Sequence, residues 1–107
     1  DRLAPLHGEL ARDAARVETI VLDLEIPSSA ERLFALLGER GVKLETLVNN
    51  AGFGLRGNFA TLPYEEQIAM VELNVSTLTR LCRLALPGLI SRKRGGIINV
   101  SSMAAFQ

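Results

Sequence analysis

Residues 17–24, 46–49 and 97–100 are short apolar runs built from Val, Ile and Leu, and each follows a stretch whose apolar residues recur every three or four positions. Short runs of this composition read as strands covered on both faces. The longer spacing describes one face of an amphipathic helix. The order is helix, strand, helix, strand, helix, strand, which leaves few architectures open. Strands separated by helices run parallel through right-handed crossovers, so an α/β fold is expected: a doubly wound parallel sheet with helices on both faces.

Leu3, Leu6, Leu10 and Ala14 mark the first helix, within residues 2–16. Leu33, Phe34, Leu36 and Leu37 mark the second, with Ser28 or Ser29 as its N-cap and Gly41 near its end. The third begins near Thr61 and Pro63, with Glu65 and Glu66 in its first turn, and carries Ile68, Val71, Val75, Leu78, Cys82, Ala85 and Leu89 to a basic end at Arg92, Lys93 and Arg94. Pro87 removes the amide that would bond the carbonyl of Arg83, and a bend is expected there. No repeat, low-complexity tract or linker divides the 107 residues.

Composition narrows the function. Twelve basic and twelve acidic residues cancel, so no broad positive field exists to neutralise phosphates, and nucleic acid and anionic membrane are poor partners. A small neutral ligand or another protein fits better. The longest apolar stretches, such as 84–90, are broken by Pro or Gly and fall far short of the roughly 20 residues that span a bilayer. The N-terminal residues lack the pattern of a secretory signal, and a cytoplasmic location is expected. With one cysteine and one histidine, neither an internal disulfide nor a metal cluster is expected. His7 reads as an exposed helix residue, Cys82 as a small core residue, and residues 92–94 as a solvated helix end.

In open α/β sheets ligands sit beyond the carboxyl ends of the strands. Three stretches lie there: Asp23 with Leu24, residues 49–54, and Ser101 with Ser102. The Asp23 carboxylate could accept hydrogen bonds from an exocyclic amine such as that of adenine, and it equally fits a turn aspartate. Asn49, Asn50, Ala51 and Gly52 let backbone approach a flat group, while the two amides can tie neighbouring strands; the same residues also suit a plain turn. A serine hydroxyl at 101 or 102 could polarise a carbonyl or merely end a strand. Asn74 stands inside a helix, where asparagine costs a few tenths of a kcal/mol against alanine, and it suits a solvent-facing position as well.

Asp23-Leu24, then Leu47-Val48-Asn49-Asn50-Ala51-Gly52, then Leu73-Asn74-Val75, then Gly96-Ile97-Ile98-Asn99-Val100-Ser101-Ser102 resembles, in order and spacing, the central part of the classical short-chain dehydrogenase/reductase family. The resemblance covers essentially the whole chain. It implies a Rossmann-type fold, of which residues 1–107 would be the central portion of one dinucleotide-binding domain. The Gly-rich pyrophosphate turn and the family's Tyr-x-x-x-Lys pair would then lie outside these residues, since Tyr64, the only tyrosine, does not match.

The resemblance further implies hydride transfer between NADP or NAD and a secondary alcohol or ketone. Ser102, the second of its pair, would hydrogen-bond the substrate oxygen, and Asn74 would hold a water that links the lysine to solvent. Asp23 and the Leu24 amide would contact adenine, and Asn50, Ala51 and Gly52 would lie along the ribose. Asp1-Arg2-Leu3 is similar to the helix start of NADP-preferring members, so NADP is preferred. A homodimer or homotetramer through the long helix 64–93 is implied, and the 107 residues alone are expected to be inactive. Two rivals stand beside this reading: a non-catalytic nucleotide-binding or scaffold protein of the same fold, and a chain whose role is packing alone.

Overall fold

The computed structural model describes residues 2–13 and 16–106. Its elements are α1 (Leu3–Leu10), α2 (Ser29–Glu39), β1 (Thr46–Asn49), α3 (Tyr64–Val71), a π-helical turn (Glu72–Thr77), α4 (Leu78–Arg92), β2 (Gly96–Asn99) and a 3₁₀ turn (Met103–Phe106). Ala14, expected on the first helix, lies outside the described residues, as does Asp1 of the segment that favoured NADP.

The strands β1 and β2 pair in parallel, with Thr46 opposite Gly96, Leu47 opposite Ile97, Val48 opposite Ile98 and Asn49 opposite Asn99. The ladder is closed at its ends by the Gly96 amide on the Glu45 carbonyl and the Val100 amide on the Asn49 carbonyl, both 2.9 Å. Parallel strands need a long crossover, and the helical run from Tyr64 to Arg92 supplies it. Both loops that follow the strands therefore leave from the same edge of the sheet. The second strand begins and ends one residue earlier than expected from the apolar run 97–100.

The first apolar run is a correction. Residues 17–23 form no strand, Val21 is 76% exposed, and the described sheet has two strands. A strand exists through its ladder, and no described strand pairs with this segment, so an apolar sequence alone leaves it without strand structure. The segment makes no ladder with β1. It is tethered by side chains instead. Glu18 meets Arg16 and, at 3.1 Å, Arg40 beyond the end of α2. The hydrogen bond from Arg16, then that from Arg40, holds the Glu18 carboxyl below the ordinary range. His7 is half-buried rather than exposed, because its Nε2–H donates to the Val17 carbonyl at 3.0 Å.

Helix α2 ends as its sequence indicates: the Gly41 amide bonds the Gly38 carbonyl and the Val42 amide the Leu37 carbonyl, a Schellman arrangement with Gly41 at φ +65°. Its N-cap is Ser28, but no serine side chain caps it; the Ser29 hydroxyl donates instead to the Asp23 carbonyl at 2.5 Å. The third helix starts at Tyr64 behind Pro63, and the hydroxyl of Thr61 turns back onto Asn58. It is not one continuous α-helix, because the π-turn inserts an extra residue into its middle. Helix α4 continues through Pro87 to Arg92, and Lys93 closes it in the left-handed region. The basic end is not simply solvated: Arg92 donates to the Leu44 carbonyl and Arg94 pairs with Glu45.

Helices α2 and α4 pack on each other and α4 packs on β1, which buries Ala30, Leu81, Ala85 and Leu89. Cys82 is only partly covered, at the rim of this core. The core is thin for the chain. Its accessible surface is 8345 Å², against about 5,800 Å² for a compact monomer of this mass. Its radius of gyration is 16.0 Å, against about 13 Å for a compact domain of this length. Val48 and Ile98, in the middle of the two strands, remain more than half exposed. The elements form a parallel α/β unit with much of its apolar surface uncovered. No described helix is long and apolar enough to cross a membrane.

Candidate functional site

The carboxyl ends of the strands divide their polar residues into two groups, those already committed and those left open. Asn49 is buried, and its Nδ2 donates to Asn99 Oδ1 across the ladder at 2.8 Å and approaches Cys82 Sγ at 3.3 Å. A buried amide bonded in this way pins the register of the two strands. One residue further on, Asn50 is exposed, as are Ala51 and Gly52.

Asn74 lies in the π-turn and reaches across to the loop after β1. Its Oδ1 accepts from the Phe53 amide at 3.1 Å, and its Nδ2 donates to the Phe53 carbonyl at 2.7 Å. The pairing imitates one rung of a ladder. It also accounts for Gly52, where a Cβ would stand 2.9 Å from Asn74 Oδ1. The side chain expected to hold a water is thus engaged with backbone, and its polar position in mid-helix serves loop geometry.

At the first strand-like end, Asp23 Oδ1 accepts from the Glu25 amide at 3.0 Å, an Asx turn. The carboxylate is exposed, so its second oxygen can still accept from a ligand. The carbonyls of this turn are held from elsewhere: Ser29 Oγ bonds that of Asp23, and Thr77 Oγ1 bonds that of Leu24 at 2.7 Å. Neither hydroxyl was evident as a site feature in the sequence, because a serine at a helix start and a threonine in mid-helix have commoner uses.

Beyond β2, Ser101 and Ser102 are both exposed. Ser102 Oγ accepts from the Ala104 amide at 3.1 Å, which leaves its own hydrogen free to donate. A cleft of about 150 Å³ opens beside the end of β1, lined by Leu24, Asn50, Ala51, Leu73 and Thr77 among others. It brings together the Leu24 turn, the loop after β1 and the π-turn. Ser101 and Ser102 do not line it; they leave the same sheet edge one strand away. Among the described residues no cluster of His, Cys, Asp and Glu could hold a metal ion.

Comparison with known proteins decides the family. The family model described as short chain dehydrogenase matches residues 1–107. The chain belongs to the short-chain dehydrogenase family. An uncharacterized oxidoreductase of Myxococcus xanthus is 34% identical over 107 residues, which are 99% of this chain and 42% of that protein. The NADP-dependent 3-hydroxy acid dehydrogenase YdfG of Salmonella typhi is 34% identical over 105 residues, 97% of this chain and 41% of that protein. Among solved short-chain dehydrogenase structures, a metagenomic short-chain oxidoreductase in complex with NADP superimposes with a TM-score of 0.84 at 31% identity, covering 96% of this chain and 46% of that one. This short-chain dehydrogenase chain spans less than half the length of the curated relatives it matches.

Proposed function

We propose that residues 1–107 are the central portion of a single Rossmann-type dinucleotide-binding domain, in an oxidoreductase that moves hydride between NADP or NAD and a secondary alcohol or ketone. The observation that carries this is the exposure of Asn50 and Ser102 beyond the carboxyl ends of the two paired strands, whose own asparagines are committed to structure, with the Asp23–Leu24 turn held beside the same cleft through Leu24 and Thr77. The excess of exposed surface supports the partial domain, since more strands and helices are needed to cover it.

The residues fit a dinucleotide. An exposed carboxylate on a tethered turn suits an amine of adenine, and a small-residue loop held close by Asn74 suits a ribose. Asp23 and the Leu24 amide would hold the first, and Asn50, Ala51 and Gly52 the second. When bound, the nicotinamide supplies or accepts the hydride. Ser102 donates its hydroxyl hydrogen to the substrate oxygen and steadies the charge that develops there. Asn74 would hold a water that links the lysine to solvent, beside the contact its side-chain amide makes with Phe53. NADP is preferred over NAD, supported by the NADP-dependent relative and the NADP-bound neighbour.

The substrate is a small carbonyl or alcohol compound. Self-association through the long helix is supported by Ile68, Val71 and Val75, which lie at helical spacing and are each about half exposed. Residues 1–107 expressed alone should show no ketone reduction, which a spectrophotometric assay with NADPH checks. In the full-length protein, Asp23→Ala should raise the Kd for NADPH about tenfold, the loss of one charge-assisted hydrogen bond, while kcat at saturating cofactor changes little. Unaltered cofactor binding in that variant would contradict the assignment of the adenine end.

A further inference from the structure

Threonine in a helix ordinarily turns its hydroxyl onto the carbonyl one turn back. Thr79 does this, donating to the Val75 carbonyl at 2.7 Å. Thr77, two residues earlier, does not. Its hydroxyl leaves the helix and donates to the Leu24 carbonyl at 2.7 Å, across a sequence separation of 53 residues. At 2% exposure Thr77 is buried, and its bond to Leu24 is partly so. The neighbouring carbonyl, that of Asp23, is held by the hydroxyl of Ser29 at the start of α2. Two consecutive peptide units of one turn are therefore fixed by hydroxyls from two separate elements.

The same π-turn also carries Asn74, whose amide grips the Phe53 backbone. One six-residue turn thus anchors both loops that border the cleft, the Leu24 turn through Thr77 and the loop after β1 through Asn74. We propose that Thr77 is a positioning residue for nucleotide binding, which sets the Asp23–Leu24 turn at the correct separation from the loop at residues 50–53. This rests on the reading of Asp23 and Leu24 as the adenine end of the site. The hydroxyl itself is committed to the Leu24 carbonyl, so it acts through the turn.

The test compares NADPH Kd and kcat for full-length Thr77→Val, Thr77→Ser, Asp23→Ala and Leu89→Ala proteins. Valine keeps the shape and loses the donor, so Thr77→Val should raise Kd roughly tenfold and leave kcat at saturating NADPH within about twofold of wild type. Thr77→Ser retains the donor and should restore Kd. Leu89→Ala opens the same core away from the cleft and should lower the melting temperature without raising Kd. An unchanged Kd in Thr77→Val, with Asp23→Ala still weakening binding, overturns the role of Thr77 and leaves the site assignment standing. No weakening in either overturns the assignment and this role with it. An equal rise in Kd for Leu89→Ala, or no recovery with serine, reduces the effect to general loosening and also overturns it.

Discussion

Replacing Ser102 with alanine in the full-length protein should lower turnover by about 10²- to 10³-fold, the usual cost of removing one donor to a developing oxyanion. Cofactor affinity should hardly move, since the hydroxyl would meet the substrate oxygen. The hydroxyl oxygen accepts from the Ala104 amide, which leaves its own hydrogen free to donate. Loss of that local bond costs only about 1 kcal/mol of stability, so a well-folded variant with low kcat is expected. Ser101→Ala is the control and should retain turnover. Steady-state kinetics with saturating NADPH separate the two; full activity in Ser102→Ala with loss in Ser101→Ala would assign the role to the other serine.

The largest effect on stability is expected at Gly95. It sits at φ +99°, and a Cβ placed there would lie 1.9 Å from the Glu45 carbonyl oxygen and 2.8 Å from Leu89 Cδ2. That carbonyl accepts the Gly96 amide in the bond that opens the β1–β2 ladder. A methyl group must therefore displace the first rung of the sheet as well as strain the backbone, at a cost on the order of 3–5 kcal/mol. Typical domains have only about 5–15 kcal/mol in total. The Gly95→Ala protein should show a much lower urea midpoint and poor soluble yield. Gly96→Ala is the natural comparison: nothing lies within 4 Å of its Cβ position, and it should change stability by less than about 1 kcal/mol.

Much of this arrangement was legible in the residues. The apolar runs and turn glycines located both paired strands and the end of α2, because backbone register and helix termination depend on local signals such as Gly41. Asn49 and Asn50 stood out as amides that could tie strands; Asn49 does so, while Asn50 is exposed. The unpaired state of residues 17–23 was not legible, since an apolar run records only that a strand can form there; whether it does depends on neighbours far away in sequence. The π-turn escaped for a related reason. Over six residues its register differs little from that of an α-helix, and the visible trace was an asparagine in an uncomfortable place. Thr77 left no trace, because its partner is reached only through the tertiary fold.

The central assignment is that the strand-end loops of this chain receive a nicotinamide dinucleotide. A crystal structure of the full-length protein with NADP bound tests it most directly. Adenine should lie against Asp23 and the Leu24 amide, the ribose along Asn50 to Gly52, and the nicotinamide end toward Ser102, with the Thr77 and Asn74 bonds intact. A nucleotide bound elsewhere on the protein, leaving Asp23 and Asn50 in solvent, would contradict that assignment.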